Sequence, residues 1–158
     1  MMKIIEYLFI DDNTGLFSVL SHNLPLEQIP DSSPATYRLE IDTDLVLLIY
    51  LLNTESEIPG SFMEQVFPGL ARMVWLTSEE NLGNQEIPDI IREKVEDEET
   101  TVPVIILIAV EKDMVPELAG RFSEKGYFLD ENSRLIIWNR RSDDDHKNIW
   151  KSVFGRIE

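Results

Sequence analysis

Apolar residues along the chain fall into short continuous runs that alternate with stretches of helical spacing. Six runs read as strands: Ile4–Ile10, Thr36–Ile41, Leu45–Leu52, Met73–Thr77, Val102–Val110 and Leu135–Trp138. Five stretches between and after them repeat their apolar residues every three to four positions, as an amphipathic helix does. These are Leu16, Phe17, Leu20 and Leu24; Phe62, Met63, Val66, Phe67 and Leu70; Ile87, Ile90, Ile91 and Val95; Val115, Leu118, Ala119 and Phe122; and Ile149, Trp150, Val153, Phe154 and Ile157. Pro68 ends or kinks the second helix, and Gly126 stops the fourth. The last helix has the clearest start, with Ser142 as its cap and Asp143, Asp144 and Asp145 at the positive end of its dipole.

The connections refine this pattern. Only Asp42-Thr43-Asp44 separates the second strand from the third, a gap that admits an antiparallel hairpin but no crossover helix. Val102–Val110 has no polar alternation and reads as a strand buried on both faces of a mainly parallel sheet. Leu24–Pro34 holds Pro25, Pro30 and Pro34 and reads as an irregular loop. The expectation is one α/β domain over residues 1–158. It has three layers, a six-stranded mostly parallel sheet with one antiparallel hairpin between strands 2 and 3, and five helices.

Composition narrows the function classes. A chain of 158 residues with 43% hydrophobic residues suits a single globular core. Thirty acidic residues against 14 basic give a net charge of −16, which repels phosphate backbones and anionic membranes. Nucleic acid is therefore not an expected partner, and proteins with basic or apolar patches are. The absence of cysteine excludes disulfides and thiolate chemistry. No apolar run is long enough to span a bilayer, and Met1-Met2-Lys3 leads into a strand without a signal-peptide pattern. A cytoplasmic protein is expected.

The element order resembles that of the Ras/Arf-like small GTPases, with the family's chemical motifs altered. The phosphate loop of that family is G-x-x-x-x-G-K-[ST], in which backbone amides cradle phosphate, the lysine meets the terminal phosphates and the hydroxyl holds magnesium. The matching stretch here is Ile10 through Phe17, where Gly15 is kept but Leu16 and Phe17 replace lysine and hydroxyl. Asp11 and Asp12 add like charge where a triphosphate would lie. At an effective dielectric of ~20, a carboxylate ~4 Å from a like charge costs about 4 kcal/mol. Asn53-Thr54-Glu55-Ser56 stands at the D-x-x-G motif, with Asn53 and Ser56 in place of its aspartate and glycine. Only Asp113 of Val110-Glu111-Lys112-Asp113 matches N-K-x-D, and Asn139-Arg140-Arg141-Ser142 stands at S-A-[KL].

The resemblance implies a pseudo-GTPase that binds no cofactor and acts through its surface, as a homo- or hetero-dimer or in another protein complex. Leu24–Pro34 and Asn53–Gly60 resemble the two switch loops. Leu26, Ile29, Glu55, Glu57, Ile58 and Phe62 are the expected partner-binding residues. A second resemblance is to response-regulator receivers, through Asp11-Asp12 after the first strand. There Ile49 stands at the phosphoacceptor position and Ile108 at the switch threonine.

Five further groups bear on chemistry. Asp11, Asp12 and Asp113 are placed to give oxygen ligands to a divalent cation beyond the strand ends, against the alternative of solvated loop acids, which is favoured. Asp143-Asp144-Asp145-His146 reads as a structural helix start. His22 and His146, the two histidines, lie far apart in sequence with no G-x-S-x-G elbow. Trp75, Trp138 and Trp150 read as core, and Arg140 and Arg141 as an anion grip or as partners of the surplus acids.

Overall fold

In a computed structural model, the residues described are 2–11, 15–32, 35–53, 65–78, 103–110 and 133–154. They form a seven-stranded mixed sheet and two α-helices. In chain order these are β1 (Lys3–Asp11), α1 (Leu16–Ser21), β2 (Glu27–Gln28), β3 (Ala35–Asp42), β4 (Leu45–Asn53), β5 (Leu70–Ser78), β6 (Val104–Val110), β7 (Ser133–Asn139) and α2 (Asp143–Phe154).

The spatial order is β2-β3-β4-β1-β5-β6-β7. β1 lies between β4 and β5 and is parallel to both, and β6 and β7 continue the parallel run. The antiparallel part is β2–β3–β4. The expected hairpin is present, turning on Thr43-Asp44, and the Asp42 carboxylate accepts the Thr43 amide at 2.6 Å. This side-chain bond holds the tight turn that so short a connection requires.

Six strands were expected, and seven form among the described residues. The extra strand, β2, falls inside Leu24–Pro34, where prolines and polar residues left no apolar alternation to read. Two residues suffice because β2 is an edge strand, paired Glu27↔Arg38 and Gln28↔Tyr37. The Ile29 amide donates to the Thr36 carbonyl at 2.8 Å. The return bend has Asp31 at φ 58 and is closed by Ser32 Oγ, which donates to the Ile29 carbonyl and accepts the Thr36 amide.

The helices also depart from expectation. α1 stops at Ser21, short of Leu24, whose amide instead donates to the Ser21 carbonyl in a turn. The helix expected to reach Leu70 gives way to a 3₁₀ turn at Phe67–Gly69, and Leu70 opens β5. Pro68 lacks the amide that an α-helix would need there. The start of that helix, and those expected around Ile87–Val95 and Val115–Phe122, lie outside the described residues. The count of five helices is therefore replaced by two α-helices among the described residues.

The strand pleat sends Tyr7, Phe9, Val74, Leu76, Ile105, Leu107, Ala109 and Trp138 into one core with Leu16, Phe17 and Leu20 of α1 and Ile149, Trp150 and Val153 of α2. On the opposite face Leu8, Ile10, Trp75, Ile106 and Ile108 are equally buried. All seven residues of β6 are buried, as its unbroken apolar run requires. α2 is fixed at both ends. Ser142 Oγ accepts the Asp145 amide at 3.2 Å, and Arg72 Nη1 donates to the carbonyls of Ser152 (2.8 Å) and Val153. A guanidinium there meets the negative end of the helix dipole.

Candidate functional site

Parallel α/β sheets place ligands beyond the carboxyl ends of their strands. Among the described residues that edge carries Asp11, Asn53, Ser78, Val110 and Asn139. Asp11 and Asn53 are register partners on β1 and β4.

The β1–α1 connection is where a GTPase-like fold would hold phosphate. Gly15 adopts φ 75 at the start of α1, the left-handed conformation a glycine takes without strain. The next two side chains turn inward: Leu16 and Phe17 are 1% and 3% exposed. Phe17 packs edge-on against Phe9, ring centroids 5.5 Å apart, and against Tyr37 at 5.2 Å. Neither side chain can reach a solvent-side anion. The Asp11 carboxylate is itself buried, and its Oδ2 accepts the Phe17 backbone amide at 3.1 Å. A side-chain carboxylate thus satisfies an N–H of the first helical turn, the kind of donor that cradles phosphate in a phosphate loop.

Of the other expected site residues, Leu26 is half-buried and packs against the core, while Ile29 is half-buried beside the β2–β3 pairing. Asp12, Ser56, Asp113, Glu55, Glu57, Ile58 and Phe62 lie outside the described residues. The pairing of Asp11 with the Phe17 amide was not legible in the sequence, which marked Asp11 only as one of two loop acids.

The β7–α2 turn brings together residues that sequence reasoning kept apart. His22, which caps α1, and His146, on α2, stand with ring centroids 5.5 Å apart at 90°. Asp143 lies between them, its Oδ1 3.7 Å from His22 Nε2 and 3.8 Å from His146 Nδ1. Arg140 turns its backbone carbonyl to His146 Nε2 at 2.9 Å. Asp145 faces the other way and accepts the Asn139 amide at 2.8 Å.

Elsewhere, Tyr50 Oη donates to Glu6 Oε1 at 2.5 Å. Burial, then the bond to the carboxylate and its charge, push the Tyr50 phenol well above its ordinary value. Burial also raises Tyr7, partly offset by the Arg72 guanidinium. No helix among the described residues is long and apolar enough to cross a membrane.

No protein-family model matches this sequence, and no curated protein does. Solved structures do share its architecture. One is Era in complex with MgGDPNP and nucleotides 1506–1542 of 16S ribosomal RNA, at a TM-score of 0.57 and 13% identity, covering 97% of this chain and 56% of that one. Another is a variant of Aquifex aeolicus Era bound to GDP·AlF4⁻, at a TM-score of 0.58 and 13% identity, covering 96% of this chain and 56% of that one. The chain spans a little over half the length of either protein, and identity this low speaks to the fold alone. Sheet order, hairpin and likeness agree: this chain has a GTPase-like α/β fold.

Proposed function

We propose that the chain is a non-catalytic protein-interaction module, a pseudo-GTPase that keeps the scaffold without the phosphate chemistry. The observation that carries this reading is the β1–α1 connection. Leu16 and Phe17 are committed to the core, and the Asp11 carboxylate occupies a backbone donor that an incoming phosphate would need. The residues present do not fit a magnesium–nucleotide pair held in the family's way, so no hydrolytic step is assigned to them. The net charge of −16 points in the same direction. It also argues against carrying over the ribosomal RNA bound to Era, since RNA contacts depend on lysine and arginine at the phosphates.

The partner surface is assigned to the segments that resemble switch loops, Leu24–Pro34 and Asn53–Gly60. Leu26, Ile29, Glu55, Glu57, Ile58 and Phe62 are its proposed contacts. A receiver-like reading is disfavoured by the antiparallel β2–β3–β4 part of the sheet.

Thermal unfolding with GTP, GDP or ATP, each with and without Mg²⁺, tests the reading. A ligand that binds only the folded state raises Tm by mass action. No shift at millimolar nucleotide is expected. A Mg²⁺-dependent shift with GTP or GDP would overturn the proposal.

A further inference from the structure

The two histidines face backbone carbonyls through opposite ring nitrogens. A backbone carbonyl only accepts, so each ring nitrogen facing one must carry the proton. His22 Nδ1 lies 2.8 Å from the Val19 carbonyl, and His146 Nε2 lies 2.9 Å from the Arg140 carbonyl. In the neutral rings that leaves His22 Nε2 and His146 Nδ1 as the lone-pair nitrogens, the two atoms that face Asp143 Oδ1. Each donor atom of this trio lies within 4.8 Å of the others.

His146 supplies the decisive observation. The residue is 3% exposed, and its Nδ1 is buried without a hydrogen-bond partner among the described residues. A buried lone pair with no donor opposite it costs free energy. Here it points at a carboxylate oxygen 3.8 Å away, which has no proton to give when ionised. A cation between the two satisfies both. Trp138 packs edge-on against the His146 ring, centroids 5.4 Å apart.

We infer that His22, Asp143 and His146 form a binding site for a divalent transition-metal ion of the zinc class. Two imidazoles and one carboxylate are a zinc donor set, and a backbone carbonyl on the far nitrogen of each histidine is the outer-shell arrangement that orients such ligands. Tetrahedral zinc with bonds of ~2.0–2.1 Å separates its ligands by about 3.3 Å. The 3.7 and 3.8 Å gaps to Asp143 close by a few tenths of an ångström, and the gap between the two histidine nitrogens, within 4.8 Å, closes further. The half-exposed His22 and the exposed Asp143 can supply this contraction by side-chain rotation while His146 stays fixed. Asp145 is not a ligand, because its carboxylate is engaged by the Asn139 amide. Three protein ligands leave a fourth position for water or a partner's side chain. The ion would join the C-terminal cap of α1 to the first turns of α2, and the acids around it offset the unfavourable positive end of the α2 dipole. None of this depends on the nucleotide reading.

The test is thermal unfolding and visible absorption of the whole chain, stripped with chelator and titrated with Zn²⁺, Co²⁺ or Mg²⁺. One equivalent of Zn²⁺ should bind, raising Tm by about 5–10 °C when free metal is near 100 times Kd. Co²⁺ should give the d–d bands of a tetrahedral site, and Mg²⁺, a hard cation, should give no comparable shift. H22Q and D143N alter exposed side chains and should remain folded by circular dichroism, yet lose the bands and most of the shift. The inference is overturned if Zn²⁺ leaves Tm unchanged, if Mg²⁺ acts equally well, or if either variant keeps the full response.

Discussion

At the residue scale, single side chains finish what the backbone leaves open. Asp11 receives the Phe17 amide from six positions back, much as an N-cap would. Asp11→Ala should lower stability by about 0.5–2 kcal/mol, read from urea unfolding. Arg72 binds two carbonyls at the end of α2. Replacing it with Met keeps much of the apolar stem but strands those acceptors, and should cost about 1–3 kcal/mol. Tyr50 carries a pH signature. Its phenol resists ionisation in the fold, so the neutral form contributes fully below the ordinary value of 10.0. Above that pH the unfolded chain ionises first, and stability falls as pH rises. Denaturant midpoints measured across that range should fall less steeply in Tyr50→Phe. Some decline remains, because Tyr7 is raised in the same direction.

At the scale of elements, α2 packs Ile149, Trp150 and Val153 into the core face it covers. Trp150 stacks on Phe154 at 5.0 Å, meets Phe9 at 5.6 Å, and donates its Nε1 proton to the Leu20 carbonyl at 2.9 Å. Trp150→Ala should cost about 3–5 kcal/mol by equilibrium unfolding, near the limit a domain of this size tolerates. The stripe that places Trp150 was legible in the sequence, because helical spacing and Ser142 mark one face and one end. The hairpin was legible because three residues leave no alternative to a turn. β2 was not, since Glu27–Gln28 has no apolar residue and becomes a strand only by pairing with β3. The site was least legible. Phosphate-loop departures could be read directly from Leu16 and Phe17, but the turned-in Asp11 carboxylate and the His22–His146 meeting are products of tertiary packing. No local pattern encodes either.

For the molecule as a whole, the excess of acids sets a global term. At −16 the compact state repels itself, and salt screens that repulsion within a Debye length of about 8–10 Å. Tm should therefore rise from low to moderate NaCl, whereas a flat response would mean the acids are locally neutralised. The GTPase-like sheet has a different whole-molecule consequence, which concerns the order in which the chain is made. β1 is made before the other strands described, yet it takes a central place between β4 and β5, and Trp150 closes on Leu20 from 130 residues further on. A nascent chain on the ribosome can pair β3 with β4 and pack Phe17 on Phe9 early, but the sides of Tyr7 and Phe9 that Phe154 and Trp150 cover must wait until α2 has emerged. Tyr7 and Phe9 are then the surface a chaperone would meet, and a stalled or truncated product lacking α2 would leave it without its Phe154 and Trp150 cover.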